Sequence, residues 1–234
     1  MKAFLLAAGT GTRLRPITDT TPKCLVTIDD RTLLDIWLDA FARAGVTEVL
    51  INLHHLADAV RAHVVARAGQ QPAIRLVFEP ELLGSAGTLA ANRDWVADEE
   101  FFLACNADNL TDFDLDVLIT AHRAARPLAT IAVFHSENPS AGGVVALDED
   151  GRIVDFTEKP AAPASDLVNA GIYAFSPAVL DEIAEKRSAD IGYDLLPRLV
   201  GHARAVPVDG YFRDIGTPEA YRQAREEWPA RALR

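Results

Sequence analysis

The sequence predicts an α/β fold: a doubly wound, mixed but mostly parallel sheet with helices on both faces, in one domain spanning 1–234. Three observations carry this reading. Short apolar runs rich in Val, Ile, Leu and Phe alternate with stretches of helical spacing. No repeat, low-complexity tract or linker interrupts the 234 residues. Polar residues follow directly on the ends of buried runs, where open α/β sheets place their ligands.

Residues 2–8 read as the first strand, followed by a Gly/Thr/Pro loop to about Asp30. Leu33, Leu34, Trp37, Leu38 and Phe41 then recur at helical intervals before Gly45, a residue suited to the left-handed turn that ends a helix. A strand is predicted over 48–53, a helix over 56–67 and a strand over 74–78. A glycine-containing turn opens a helix over 85–95. The buried strand 101–105 runs straight into Asn106-Ala107-Asp108-Asn109. Beyond it come a helix over 115–125 and strands over 129–134, 143–147, 153–157 and 168–175, so β content rises in this half. Helices over 177–186, 193–200 and 218–227 enclose short strands over 204–208 and 211–215. The Pro/Ala stretch 160–163 is short enough to be a loop.

Composition narrows the function classes. With 23 Lys+Arg against 34 Asp+Glu the net charge is −11, which disfavours nonspecific attachment to nucleic acid or anionic membrane. Any anionic ligand must therefore meet a local cationic site. A chain of this length buries a full core without staples. Its two cysteines, Cys24 and Cys105, form no CxxC or Cys/His cluster and read as reduced thiols. The apolar run after Met1 is too short for a signal peptide or membrane span, so the expected compartment is the cytoplasm.

The loop Gly9-Thr-Gly-Thr-Arg-Leu-Arg-Pro16 follows the first strand directly. Closely spaced glycines let backbone N–H groups turn inward around phosphate oxygens. Two named phosphate loops fail here: Leu14 stands where a dinucleotide fingerprint needs its third glycine, and the Gly-Lys-Ser/Thr of a Walker A loop is absent. What remains is an anion-binding turn with Arg13 and, ten positions on, Lys23, two permanent cations that suit a polyphosphate. Only four lysines occur, Lys2, Lys23, Lys159 and Lys186, so lysine at Lys23 and Lys159 looks chemically required.

Leu6-Ala-Ala-Gly-Thr-Gly-Thr-Arg-Leu-Arg-Pro16, with Thr18 and Pro22-Lys23, resembles the signature of the sugar-1-phosphate nucleotidyltransferases. Gly84-Ser-Ala-Gly87, Asp108 after a strand, Phe156-Thr-Glu-Lys-Pro160, Asn169-Ala-Gly-Ile-Tyr173 and Asp214-Ile-Gly-Thr217 follow in the family's order, so the resemblance spans nearly the whole chain. The ending, from Tyr211 to Tyr221, is similar to the short manno-heptose 1-phosphate and mannose 1-phosphate guanylyltransferases.

The resemblance implies a Rossmann-like nucleotide-binding half over about 1–112 and a β-rich sugar-binding half over about 113–234. It implies transfer of a nucleoside monophosphate from a triphosphate to a sugar 1-phosphate, with release of pyrophosphate and with Mg2+. The attacking phosphate oxygen is already anionic, so positioning and charge neutralisation suffice, and no Ser/His/Asp set is needed. Arg13 and Lys23 would act on the triphosphate. Leu6, Ala8, Gly9, Gly11 and Thr12 would bind the nucleotide together with Glu79, Gly84, Gly87 and Asn106. Gly143, Glu158, Lys159 and Asn169 would hold the sugar phosphate. Asp108 and Asp214 would be the magnesium ligands, although each alone suits a turn or helix cap. The family more often has Gly-Asp where this chain has Ala107-Asp108. The partners implied are the two substrates, with a homodimer allowed.

Glu79 stands where relatives reading uracil or thymine often carry Gln. A carboxylate only accepts, and guanine offers two adjacent donors, so the expectation is GMP transfer from GTP to a mannose-like or manno-heptose-like 1-phosphate. Glu81 is the competing acid. The alternatives are uridylyl or thymidylyl transfer, a cyclitol phosphate acceptor, or an inactive nucleotide-sugar-binding regulatory relative. With Asp214 near the end of the sequence no appended β-helix is expected, and Gly142, standing where many relatives have an aromatic, is expected to open the sugar side. Arg15 is a second-rank phosphate contact. His54 and His55 read as helix-start solvent contacts, Cys24 as a buried small hydrophobe, and Trp37 and Phe41 as core.

Overall fold

Strand β1 (Lys2–Leu6) is apolar throughout after Lys2, as a strand covered on both faces must be. In this computed structural model, which describes residues 1–67, 69–183 and 188–228, it lies inside a nine-stranded sheet. After β1 the chain makes three short 3-10 turns and a two-residue hairpin, β2 (Thr27–Ile28) and β3 (Arg31–Thr32). Helix α1 (Leu33–Arg43) follows, capped by the Thr32 hydroxyl, which accepts from the Asp35 N–H at 3.0 Å. Then come β4 (Glu48–Leu53), α2 (Ala57–Ala66), β5 (Ala73–Phe78), α3 (Ser85–Ala91), α4 (Arg93–Val96), β6 (Phe102–Asn106) and β7 (Asn109–Thr111). The second half adds α5 (Leu115–Ala125), β8 (Ala129–His135), β9 (Gly143–Leu147), β10 (Ile153–Glu158) and β11 (Leu167–Phe175), and finally β12 (Ala203–Pro207), β13 (Phe212–Asp214) and α6 (Pro218–Glu227).

The main sheet runs in the order β10-β9-β11-β6-β1-β4-β5, with β8 beside β11 and β12 beside β8. Pairing is parallel among β5, β4, β1 and β6 and between β8 and β12. It is antiparallel wherever β11 meets β6, β8 and β9, and between β9 and β10. The sheet is therefore mixed, with its parallel character concentrated in the first half. Alternation along β1 sends Leu5 to a core with Trp37, Leu38, Phe41 and Leu118, and Phe4 to a core with Leu89, Phe102 and Tyr173 on the other face. A third cluster, including Leu14, Ile28, Leu33, Leu110, Tyr211 and Ile215, lies under the first loop and supports it.

The long helix expected over 85–95 breaks at Asn92, whose φ of −118° leaves the helix and whose amide instead donates to the Thr88 carbonyl at 2.9 Å. Residues 177–182 form a 3-10 helix, and 184–186 of the expected helix lie outside the described residues. The helix expected over 193–200 is a π-helical turn, Ile191–Leu195, followed by a 3-10 turn, Leu196–Leu199. Pro197 has no N–H with which to continue an α-helical ladder. Among the described residues no helix is long and apolar enough to cross a membrane.

Candidate active site

The first loop is shaped by its own glycine. Gly11 has φ +64°, and a Cβ there would lie 2.8 Å from the Thr18 methyl. The Thr18 hydroxyl donates to the Gly11 carbonyl at 2.7 Å, closing the loop on itself. Thr12–Leu14 is a 3-10 turn with Leu14 buried beneath it, which leaves Arg13 projecting with 67% of its side chain exposed. Lys23 begins another such turn but is mostly buried, with 11% exposed.

Main-chain pairing brings the two acidic motifs together. β13 pairs antiparallel with β7, setting Asp214 opposite Asn109, and the Ile215 N–H donates to the Asp108 carbonyl at 2.9 Å. The core residue Trp37 donates its indole N–H to the Asn109 carbonyl at 2.9 Å, anchoring the same turn from below. The Lys23 ammonium hydrogen-bonds Asp108 and lies 3.5 Å from Asp214. The Arg13 guanidinium lies 3.7 Å from the other Asp214 oxygen. Desolvation and then the like charge of Asp108 raise the Asp214 pKa, opposed by Lys23 and Arg13. Two hard carboxylates that already share one cation, with no group of three or more His, Cys, Asp or Glu at hand among the described residues, fit an ion that completes its shell from substrate and water oxygens. Magnesium has that chemistry.

Two cavities meet at this point. Asn106 and Asp108 line both. The first cavity is also bounded by Leu6, Ala8, Gly9, Glu79 and Gly84, so six of the nine expected nucleotide residues share one space. Of the two competing acids Glu79 and Glu81, Glu79, 3% exposed, lines it and Glu81 does not. The Glu79 carboxylate accepts from the Asn52 amide at 2.9 Å, the Thr88 hydroxyl at 2.5 Å and the Leu83 N–H at 3.2 Å. Asn52 in turn accepts from the Ala7 N–H at 2.7 Å, tying the end of β1 to this cluster. Asn52 and Thr88 escaped the sequence reading. The signal was Asn52 itself, a polar residue inside the apolar run of β4.

Gly11, Thr12 and Gly87 do not line this cavity. Gly84, at φ +77°, and Gly87 let the chain at Ala189 approach the start of α3, where the Ala189 carbonyl accepts from the N–H groups of Ala86 and Gly87 at 2.9 and 3.0 Å. Those two donors are thereby used within the protein. The Ser85 hydroxyl also reaches across, donating to Asp190 at 2.9 Å and accepting from the Ile191 N–H at 2.7 Å. Asp190 caps the turn that follows.

The second cavity, of about 330 Å³, holds Arg13, Asp214, Gly143, Glu158, Lys159 and Asn169, which places every expected sugar-phosphate residue on one wall system with the cations. Gly143 and Gly192 leave room for Glu158: a Cβ on either would lie 2.7 or 2.5 Å from its carboxylate. Burial raises the Glu158 pKa, with the Lys159 charge opposing and the Asp190 charge adding. Lys159 sits at φ +47°, half-exposed, 3.9 Å from Glu158 and 5.7 Å from the Tyr193 ring centre. The Asn169 amide donates to the Tyr173 hydroxyl at 2.7 Å, and its oxygen accepts from Gly171 in a bulge of β11.

Other residues settle into supporting positions. Arg15 pairs with Asp19 at 3.1 Å. His54 contacts the Glu79 carbonyl at 2.8 Å and His55 the Thr18 carbonyl at 3.2 Å, so both histidines, each partly exposed ahead of α2, also hold loops. Cys24 is buried and its thiol pKa is pushed up to about 12 by desolvation.

A family profile described as Nucleotidyl transferase matches residues 2–230. The chain is 35% identical to a UTP–glucose-1-phosphate uridylyltransferase of Synechocystis sp., covering 96% of this chain and 62% of that one. It is 37% identical to the mannose-1-phosphate guanylyltransferase catalytic subunit beta of Danio rerio, covering 94% and 62%. It thus spans under two thirds of the length of these relatives. Among solved structures, HddC of Yersinia pseudotuberculosis complexed with GMP-PN superposes with a TM-score of 0.81 at 23% identity, covering 97% of this chain and 99% of that one.

Proposed function

The chain belongs to the nucleotidyl transferase family, and from that premise we propose that it transfers a nucleoside monophosphate from a triphosphate to a sugar 1-phosphate in the cytoplasm. The observation that carries this reading is the meeting of Arg13, Lys23, Asp108 and Asp214 at the seam of two cavities, one nucleotide-sized and one lined by Glu158, Lys159 and Asn169.

In this reading the sugar phosphate lies in the second cavity with Lys159 on its phosphate and Glu158 accepting from its hydroxyls. One of its anionic oxygens faces the α-phosphorus near Asp108. No general base is required, since the nucleophile carries its charge already. Arg13 forks two oxygens of the departing pyrophosphate and Lys23 supplies a compact charge beside them, both most effective as the negative charge builds up. Asp108 and Asp214 would hold Mg2+, which when bound neutralises phosphate charge. Leu6, Ala8, Gly9, Gly84 and Asn106 contact the nucleoside and its phosphates. Gly11, Thr12 and Gly87 shape the loops that carry them.

The proposed nucleotide is GTP and the proposed acceptor a mannose-like or manno-heptose-like 1-phosphate. Glu79 supports guanine because it is the buried acceptor on the cavity wall. A specific observation favours the uridylyl alternative: three hydrogen bonds already fill most of the four lone-pair directions of that carboxylate. Incubating the protein and Mg2+ with each triphosphate and a panel of sugar 1-phosphates, followed by mass spectrometry, tests both halves. Pyrophosphate release with one NDP-sugar product is expected. Silence across the panel, with tight nucleotide binding, would turn the reading toward an inactive regulatory relative.

A further inference from the structure

The cleft lies at one end of β8, where Phe134 and Ser136 line the sugar-side cavity. At the opposite end, where β8 and β12 begin, a separate cavity is lined by Arg126, Arg152, His202 and Arg204. No acidic side chain lines it among the described residues. In a chain of net charge −11 this is a local inversion of sign.

Arg152 and Arg204 are direct partners in an antiparallel bridge. Their positions are fixed by main-chain bonds on both sides, from the Ala205 N–H to the Gly151 carbonyl at 2.9 Å and from the Gly201 N–H to the Ile153 carbonyl at 2.8 Å. Like charges directly opposed on a sheet face are destabilising, and no shift of register is free to part these two. The Asp148 carboxylate accepts from the Arg152 main-chain N–H at 2.8 Å, and neither Arg152 nor Arg204 forms an ion pair with a described acid. Arg126 meets Glu100 only at 3.8 Å with both side chains largely exposed, and Arg204 donates to the Asp150 carbonyl, which carries no charge. Neither the Arg152 guanidinium nor the His202 ring has a side-chain hydrogen bond or ion pair with another described residue.

Guanidinium groups bind phosphate oxygens as planar forks, and three of them offer more donors than a single phosphate accepts. We propose that Arg126, Arg152 and Arg204 form a second anion site, distinct from the cleft, that takes a diphosphate group and is completed by His202. The same chemistry is carried by free inorganic pyrophosphate and by a nucleoside diphosphate.

Amide NMR of the full chain separates this site from the cleft. Inorganic pyrophosphate and a nucleoside diphosphate are added in parallel arms, with potassium chloride at matched ionic strength as the third. Saturable shifts at Gly151, Arg152, Gly201 and His202 are expected in at least one diphosphate arm and not with chloride. The arm that binds more tightly identifies the source. The R152Q/R204Q variant should bind at least tenfold more weakly at these amides, keep its cleft shifts, and melt at or above the wild-type temperature in chloride alone. Should that variant fail to fold, R126Q leaves the bridge intact and is expected to weaken binding several-fold. Shifts that chloride reproduces, that survive R126Q and R152Q/R204Q unchanged, or that follow protein concentration as in contact with a second copy would each overturn the proposal.

Discussion

The Ile215 N–H donates to the Asp108 carbonyl at 2.9 Å, so the two acidic motifs are fastened to each other through main chain before any side chain is considered. The carboxylates of Asp108 and Asp214 then converge on Lys23 without depending on each other for their position. D108N and D214N should therefore fold normally. Each is expected to lower kcat/KM for nucleotidyl transfer by about 100-fold or more, since removing one preorganised electrostatic group costs about 2.7 kcal/mol or more. Steady-state pyrophosphate release at several Mg2+ concentrations checks this, and near wild-type turnover in either variant would remove the proposed metal site.

Glu79 makes a double prediction because it is both a cavity wall and the hub of a buried cluster. In E79A the Asn52 amide, the Thr88 hydroxyl and the Leu83 N–H lose the carboxylate, but Asn52 keeps the Thr88 hydroxyl at 2.9 Å and Thr88 keeps the Gly84 carbonyl at 3.1 Å, so the expected loss is about 1–3 kcal/mol in total. E79Q keeps the shape but turns an NH2 toward the Leu83 N–H or toward Asn52, a smaller cost. If the carboxylate reads guanine, E79Q should lower kcat/KM for GTP relative to UTP about tenfold, the worth of one charged hydrogen bond of about 1.5 kcal/mol. An unchanged ranking of triphosphates would take the base reading away from Glu79 while leaving its structural role.

Two glycines of the nucleotide cavity should respond oppositely to a methyl group. Gly84 has φ +77° and ψ 164°, a conformation nearly exclusive to glycine, and its Cβ would collide with the Ala189 carbonyl. G84A is expected to cost about 1–3 kcal/mol in urea denaturation and to raise the KM for triphosphate. A Cβ on Gly9 would meet nothing within 4 Å, so G9A should keep its stability within about 0.5 kcal/mol. A rise in triphosphate KM in G9A without loss of stability would mark that open space as ligand volume.

Much of this was legible in the sequence, for a physical reason: strands buried on both faces are continuous apolar runs, and the residues that follow them are polar because the ligands sit there. β1, β4 and β6 and the turns after them were readable for that reason, whereas the grouping of Arg13, Lys23, Asp108 and Asp214 was implied only by the family resemblance. What escaped depends on contacts between distant segments. β7 is only three residues long, too short for a period to register, and its pairing with β13, which lies inside the strand expected over 211–215, is invisible in either segment alone. The break at Asn92 and the π-helical turn at Ile191 rest on one side-chain hydrogen bond and one missing N–H. Gly84 and Gly87 carry the pattern of a ligand loop, yet the chain segment packed against both is the one at Ala189, about a hundred positions away.

His122 links burial to pH. It is 3% exposed on the inner face of α5, with Nδ1 2.9 Å from the Thr130 hydroxyl and its ring 5.1 Å from that of Phe101. Burial lowers its pKa from 6.5 to about 4, opposed only in part by the charge of Glu100. Above pH 6.5 the imidazole is neutral in both folded and unfolded chains, so it contributes no pH dependence. As the pH falls from 6.5 toward 4 the unfolded chain takes up a proton that the folded chain refuses, and stability is lost across that window. Below about pH 4 both forms are protonated and the loss levels off. At pH 5 the loss relative to pH 7 is about 2 kcal/mol. H122N retains an amide able to meet Thr130 and cannot titrate. Urea denaturation of both proteins at pH 7 and pH 5 should show the wild type losing about 2 kcal/mol more than H122N, because the carboxylates, Asp35 among them, titrate alike in the two. Equal losses would mean that the histidine takes its proton inside the fold, and that the contact with Thr130 opens before the domain does.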